Sequence, residues 1–236
     1  DDTTGLTVGR ILIRAHGIPP HGREMLQNSG LKVIDATCPK VTRVQAIIRH
    51  QSKKDRPTII VGDKDHAEVI GLMGYSKEPA HLIEKKADVT SLPPLENPFV
   101  VAQTTQDVED FKEIVSALQA RFPDIQVFDT ICDATHERQE EVRTFKERVE
   151  GVVVVGGHHS ANTQRLVKIS EGEHLPTFHV ETEKEVPREA LSQMEAIGLS
   201  AGASTPHWLI KNVMQEIEAI QAREETPFVH GVKRAF

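Results

Sequence analysis

The sequence predicts an α/β protein with mainly parallel sheets. Short apolar segments read as strands at 10–14, 32–35, 58–62, 99–102, 125–128, 152–155, 177–180 and 197–200. Helical segments alternate with them at about 20–28, 40–53, 67–74, 107–121, 136–149, 161–171 and 206–222. Each strand is four to five residues long, β-branched, and apolar at successive positions, so both of its faces are expected to be covered by helices.

Taken in order, "RILIRA" gives the first strand and "KVID" the second, which stops at Asp35 before Ala36-Thr37-Cys38-Pro39. "TIIVG" and "FVVA" follow, separated by the helical stretch that begins near His66 and by a Pro-rich connector, "SLPPLENP", at 91–98. "TTQDVEDFKEIVSALQARF" is a clear amphipathic helix, with apolar residues at Val108, Phe111, Ile114, Val115 and Leu118 and with Thr105 able to cap its start. "QVFD" then leads into Thr130-Ile131-Cys132. "GVVVVGG" has the length of a buried strand, and "AGASTP" ends the last strand before a helix that starts near Pro206. The tail "REETPFVHGVKRAF" has no periodicity and is expected to be a loose arm.

At 236 residues the chain can form one large domain or two to three small ones. The net charge of −7 argues against nucleic acid as a main partner, because neutralising phosphates needs a basic face. Aromatics at 4% leave little to stack on bases. No apolar run approaches the roughly 20 residues that a membrane helix needs, and no basic-then-apolar leader opens the chain. Two cysteines are too few for a disulfide scaffold of this size, so a reducing cytoplasm is expected. The chain opens without Met and reaches a strand within ten residues, which reads as a fragment of a longer chain or a processed terminus.

In open α/β sheets ligands bind beyond the carboxyl ends of the strands. Those positions hold His16, Cys38, His66 and Glu68, Gln103-Thr104-Thr105, Cys132, His158 to Thr163, and Ser204. Any one Ser, Thr or Asn after a strand is ordinarily a helix cap, and a lone cysteine is ordinarily a small buried residue. The coincidence at one end of the strands is what points to a site. The two cysteines share a setting, an apolar strand followed by Asp-x-x-Cys, which suggests a shared task. A reducing compartment disfavours a disulfide, and spacing alone leaves zinc and an iron–sulfur cluster open. "GGHHSANTQRL" and "AGASTP" place glycines and hydroxyls at helix starts, which suits a phosphate or diphosphate. There is no Walker loop and no GxGxxG fingerprint. Glu68 is the clear carboxylate available as a proton donor if it faces that site, and otherwise it complements the dipole of its helix.

"RAHGIPP", "DATCPKV", "DHAEVIGLMGY", "QTT", "DTICDATHERQ", "SANTQRL" and "AGASTP" occur in this order from about residue 10 to about residue 220. Together they make the chain resemble the 4-hydroxy-3-methylbut-2-enyl diphosphate reductase family, which performs the last step of the non-mevalonate isoprenoid pathway. The resemblance implies a trefoil of three small α/β domains around a central 4Fe–4S cluster. On that division residues 1–37 are the remainder of a first domain, 38–129 the second, 130–224 the third, and 225–236 a C-terminal tail. Cys38 and Cys132 match cluster ligands, Glu68 and Thr104 the catalytic proton relay, and His16, His66, Ser160, Asn162 and Ser204 the substrate binders. Ala161 stands where the family often has a second serine, and its backbone N–H is the group expected to serve. The family's first cysteine, in a Gly-Phe-Cys motif, and the histidine after it have no counterpart here, so the third cluster thiolate is expected upstream of this chain. The resemblance also implies a small allylic diphosphate substrate, a ferredoxin or flavodoxin-type electron donor, and a monomer. The competing readings are another trefoil iron–sulfur enzyme of quinolinate synthase type, a cluster-free diphosphate-binding module and a zinc hydrolase.

Overall fold

The computed structural model describes residues 9–221. Its strands form three sheets in which every pairing is parallel. The chain divides between Cys132 and Asp133 into two compact units.

The first unit holds two sheets. β1 (Arg10–Ile13) pairs with β2 (Lys32–Asp35), and α1 (Pro20–Asn28) lies between them in sequence. The second sheet has the order β4-β3-β5-β6, from β3 (Thr58–Val61), β4 (His81–Ile83), β5 (Phe99–Ala102) and β6 (Gln126–Phe128). One face of β3 and β5 presents Ile60, Phe99 and Val101 to Val44 and Ile48 of α2 (Pro39–Ser52) and to Val69 and Leu72 of α3 (Ala67–Met73). The other face presents Ile59, Val61 and Val100 to Phe111, Ile114 and Leu118 of α4 (Val108–Arg121). Alternate residues of one strand thus feed two cores, as a centrally placed parallel strand requires.

The second unit repeats the plan with a single sheet, β8-β7-β9, from β7 (Gly151–Val155), β8 (Thr177–Val180) and β9 (Ile197–Ala201). Val152 and Val154 pack with Val142, Leu166 and Ile169, which belong to α5 (Asp133–Arg143) and α6 (Ala161–Gly172). Val153 and Val155 pack with Leu191 of α7 (Arg188–Leu191) and with Val213 and Ile217 of α8 (His207–Gln221).

The α/β class and the eight expected strands are present, and four details differ. β1 and β2 are not covered on both faces, because Leu12 is 58% and Ile34 43% exposed. β4 is a further strand, too short for periodicity to reveal, and it owes its place to pairing with β3. The helix expected at 136–149 runs instead over Asp133–Arg143 with a 3₁₀ turn at Thr144–Glu147. Its buried positions Thr135, Gln139 and Val142 are mostly polar, which hid the helical period. Asp107, not Thr105, caps α4, its carboxylate accepting from the N–H groups of Glu109 and Asp110. No described helix is long and apolar enough to cross a membrane. The tail from 223 and the expected domain 225–236 lie outside the described residues.

Candidate functional site

The two Asp-x-x-Cys turns close alike. Asp35 Oδ1 accepts from the Thr37 N–H at 3.0 Å, and Asp129 Oδ1 accepts from the Ile131 N–H at 3.1 Å. Each aspartate so folds the chain back on itself two residues later. Each cysteine then donates its N–H to the loop that follows the neighbouring strand, Cys38 to Ala15 and Cys132 to Thr104, both at 2.9 Å. Cys38 is the N-cap of α2, and Cys132 stands immediately before α5. Both cysteines are free and half-buried.

Those acceptors lead to the other groups of the first unit. Ala15 precedes His16, whose ring meets that of His66 edge-on with centroids 5.0 Å apart. Gly74, at the C-terminus of α3, lets the segment after His16 come close, because a Cβ there would lie 2.5 Å from Pro19. Burial, and secondarily the Arg14 charge, push the His16 imidazole below its usual range. His16 Nδ1 is buried and has no hydrogen-bond partner among the described residues.

His66 caps α3, with Nδ1 accepting from the Glu68 N–H at 3.2 Å. Glu68 is 1% exposed. Its Oε1 accepts from the Thr104 N–H at 2.7 Å and its Oε2 from the Thr104 hydroxyl at 2.8 Å. Burial raises the Glu68 pKa, and the two donors from Thr104 oppose that rise. A buried carboxyl whose pKa is raised and whose oxygen meets a hydroxyl is suited to hand a proton on through that hydroxyl. His16, Cys38, His66, Glu68, Thr104 and Cys132 are therefore joined by an unbroken series of contacts.

In the second unit the two glycine loops stand side by side after β7 and β9. Thr163 sits between them, and a Cβ on Gly156 or Gly202 would come within 2.6 or 2.2 Å of its hydroxyl oxygen. Gly156 also has φ +150°, which a side chain would strain. Ser160 is the N-cap of α6, its hydroxyl oxygen accepting from the Thr163 N–H, and its own proton stays available to a ligand. Ala161 opens that helix. Asn162 is 5% exposed, yet neither polar atom of its side chain has a partner among the described residues. A buried amide left so at a helix N-terminus suits an anionic ligand. Ser204 lies exposed on the second loop.

Two supporting residues escaped the sequence reading. The Thr130 hydroxyl accepts from the Ala102 N–H at 2.8 Å and donates to the Ala102 carbonyl at 2.6 Å. Glu181, at the end of β8, accepts from the His158 N–H and fixes the start of the first glycine loop. Neither bond has a signature in spacing, because each depends on which strands lie next to each other.

The family model described as LytB protein matches residues 2–218. Relatives named 4-hydroxy-3-methylbut-2-enyl diphosphate reductase include one from Opitutus terrae, 42% identical over 211 residues, which spans 89% of this chain and 73% of the relative. Another, from Caldanaerobacter subterraneus, is 38% identical over 92% of this chain and 75% of its own length. Among solved structures, the E-1-hydroxy-2-methyl-but-2-enyl-4-diphosphate reductase of Plasmodium falciparum superposes with a TM-score of 0.83 at 31% identity, over 88% of this chain and 66% of that one. A second, described as the terminal enzyme of the non-mevalonate pathway, has a TM-score of 0.63 at 37% identity, over 93% of this chain and 79% of that one. On this match, carried across all three sheets and both cysteine turns, the chain belongs to the LytB protein family.

Proposed function

We propose that the chain is the reductase for which its relatives are named. It reduces 4-hydroxy-3-methylbut-2-enyl diphosphate to isopentenyl and dimethylallyl diphosphates, taking up two electrons and two protons and releasing the hydroxyl as water. The observation that carries this reading is the buried Glu68 carboxyl held at both oxygens by Thr104. The hydroxyl lost in this reaction needs a proton, and Glu68 supplies it through the Thr104 hydroxyl. His16, His66, Ser160, the Ala161 N–H, Asn162 and Ser204 bind the diphosphate, with the N-terminus of α6 favouring its charge.

Cys38 and Cys132, two soft free thiols at equivalent turns, fit as ligands of a 4Fe–4S cluster. They are a partial set, since among the described residues no three His, Cys, Asp or Glu side chains converge to hold a metal ion. Held by these thiolates, a cluster would supply the electrons with which the allylic C–O bond is broken. A ferredoxin or flavodoxin-type protein delivers them, and the enzyme works as a monomer in the cytoplasm.

The test is turnover of the allylic diphosphate by the anaerobically reconstituted product of the full gene with reduced methyl viologen, beside its Glu68→Gln variant. Loss of the proton donor should lower kcat by about 10²- to 10⁴-fold with KM nearly unchanged. Wild-type kcat should fall as pH rises through the elevated Glu68 pKa, because the donor must be protonated, and Glu68→Gln should lack that limb. Diphosphate binding without iron uptake or turnover would instead establish a cluster-free binding module.

A further inference from the structure

Glu68 and Thr104 belong to different segments, so their pairing depends on how two turns are held against each other. Gln103 lies between those turns and is fully buried. Its Oε1 accepts from the Asp63 N–H at 2.8 Å, in the turn that leads from β3 to Glu68. Its Nε2 donates to the Thr105 hydroxyl oxygen at 2.9 Å, in the turn that carries Thr104. Its backbone N–H donates to Val61 and its carbonyl accepts from the Gln106 N–H, which fixes the base of the side chain at the end of β5. Gly62 closes the space on the β3 side. A Cβ there would come 2.7 Å from Val69 Cγ2, 2.8 Å from Gln103 Oε1 and 2.9 Å from Gln103 Cβ. Val69 directly follows Glu68, so the amide and the start of α3 press on one backbone position.

We propose that Gln103 is a positioning residue for the proton relay: its amide braces the turn after β3 against the turn after β5 and so keeps the Glu68 carboxylate on the two Thr104 donors. The side chain must offer an acceptor at one end and a donor at the other, at the length of glutamine. Glutamate conserves the acceptor for Asp63, and the Thr105 hydroxyl can turn to donate to its other oxygen. Methionine has the length and neither function. The catalytic consequence rests on the reductase reading, and the brace itself does not.

The experiment measures amide hydrogen exchange at Thr104, whose N–H is bound to Glu68, in wild type, Gln103→Met and Gln103→Glu, alongside kcat and KM of the reconstituted enzyme. In Gln103→Met the Thr104 amide should exchange at least about fivefold faster while the Ile114 amide in α4 is unchanged. Its kcat should drop about 10- to 100-fold with KM moving far less, as expected for misplaced catalytic groups. Gln103→Glu should restore both readouts to within about threefold of wild type. Should Gln103→Met fail to fold, Thr105→Val removes one of the two side-chain contacts and should speed Thr104 exchange about threefold. Unchanged Thr104 exchange in either of these variants, or equal impairment of Gln103→Met and Gln103→Glu, overturns the proposal. Faster Thr104 exchange in Gln103→Met, with no turnover by the reconstituted wild-type product of the full gene, supports the brace and removes the reductase reading.

Discussion

At Cys38 the pairing of β1 with β2 continues through the backbone alone: Ala36 donates to Ile13, and Cys38, two residues on, donates to Ala15. At Cys132 the same two rungs exist on β5, but the first is made by a side chain, the Thr130 hydroxyl bonded to both polar groups of Ala102. The supports also differ. Turn one follows a two-stranded sheet with exposed apolar residues and has Asp35 pinned by Arg23 at 2.5 Å and by the Thr37 hydroxyl at 2.6 Å. Turn two follows a four-stranded sheet whose central strands are fully buried. A thiol can thus be held equivalently by surface polar groups around a thin sheet or by one hydroxyl over a thick one. Each turn also leads to a different group, the first through Ala15 to His16 and the second through Thr104 to Glu68.

The largest difference between the turns should emerge on replacing Thr130. Thr130→Val leaves a buried N–H and C=O of Ala102 without their partner, a loss of about 2–3 kcal/mol in urea unfolding. Thr130→Ser should recover most of it. Equal stability of Thr130→Val and wild type would remove the distinction between the two ladders.

A smaller effect is expected at the aspartates. Asp35 is held down to about 2 by the Thr37 hydroxyl, aided by the Thr37 N–H and Arg23 and opposed by slight burial. A carboxylate depressed on folding contributes stability that is present above its ordinary pKa and is lost as pH falls through the folded value. Asp35→Asn should therefore flatten the acid limb of the stability curve between about pH 4 and pH 2. At neutral pH it should cost only about 0.5 kcal/mol, since the Arg23 pair is partly exposed. A steeper acid limb in Asp35→Asn would contradict this account.

The smallest change should follow Ala36→Ser, because that position contributes only its backbone and its side chain is exposed. The shift should stay within about 0.5 kcal/mol. A larger one would show that turn one, too, depends on the side chain at this position.

Much of this was legible because parallel topology brings the carboxyl ends of neighbouring strands together, so the residues after "VID", "IIVG", "FVVA" and "VFD" could be read as one set. The buried strands β3, β5 and β7 carry their burial in their composition. β1 and β2 share that composition without the burial, since Leu12 and Ile34 have too little packed over them. The contacts that hold the site were not legible. Glu68 meets Thr104 across 36 residues and Thr130 meets Ala102 across 28, and both pairings follow from strand order rather than local pattern. Ser160 illustrates the converse, a residue read as a ligand group that is also an ordinary helix cap.

The central claim is that the two turns serve one centre, and iron content tests it most directly. The product of the full gene and its Cys38→Ser and Cys132→Ser variants would be reconstituted anaerobically with iron and sulfide and assayed for iron per chain and visible absorbance. Wild type should take up iron and each substitution should abolish stable uptake to the same degree, while the unfolding temperature of the iron-free chains stays close to that of wild type. Retention of the full iron content after either substitution would contradict that claim.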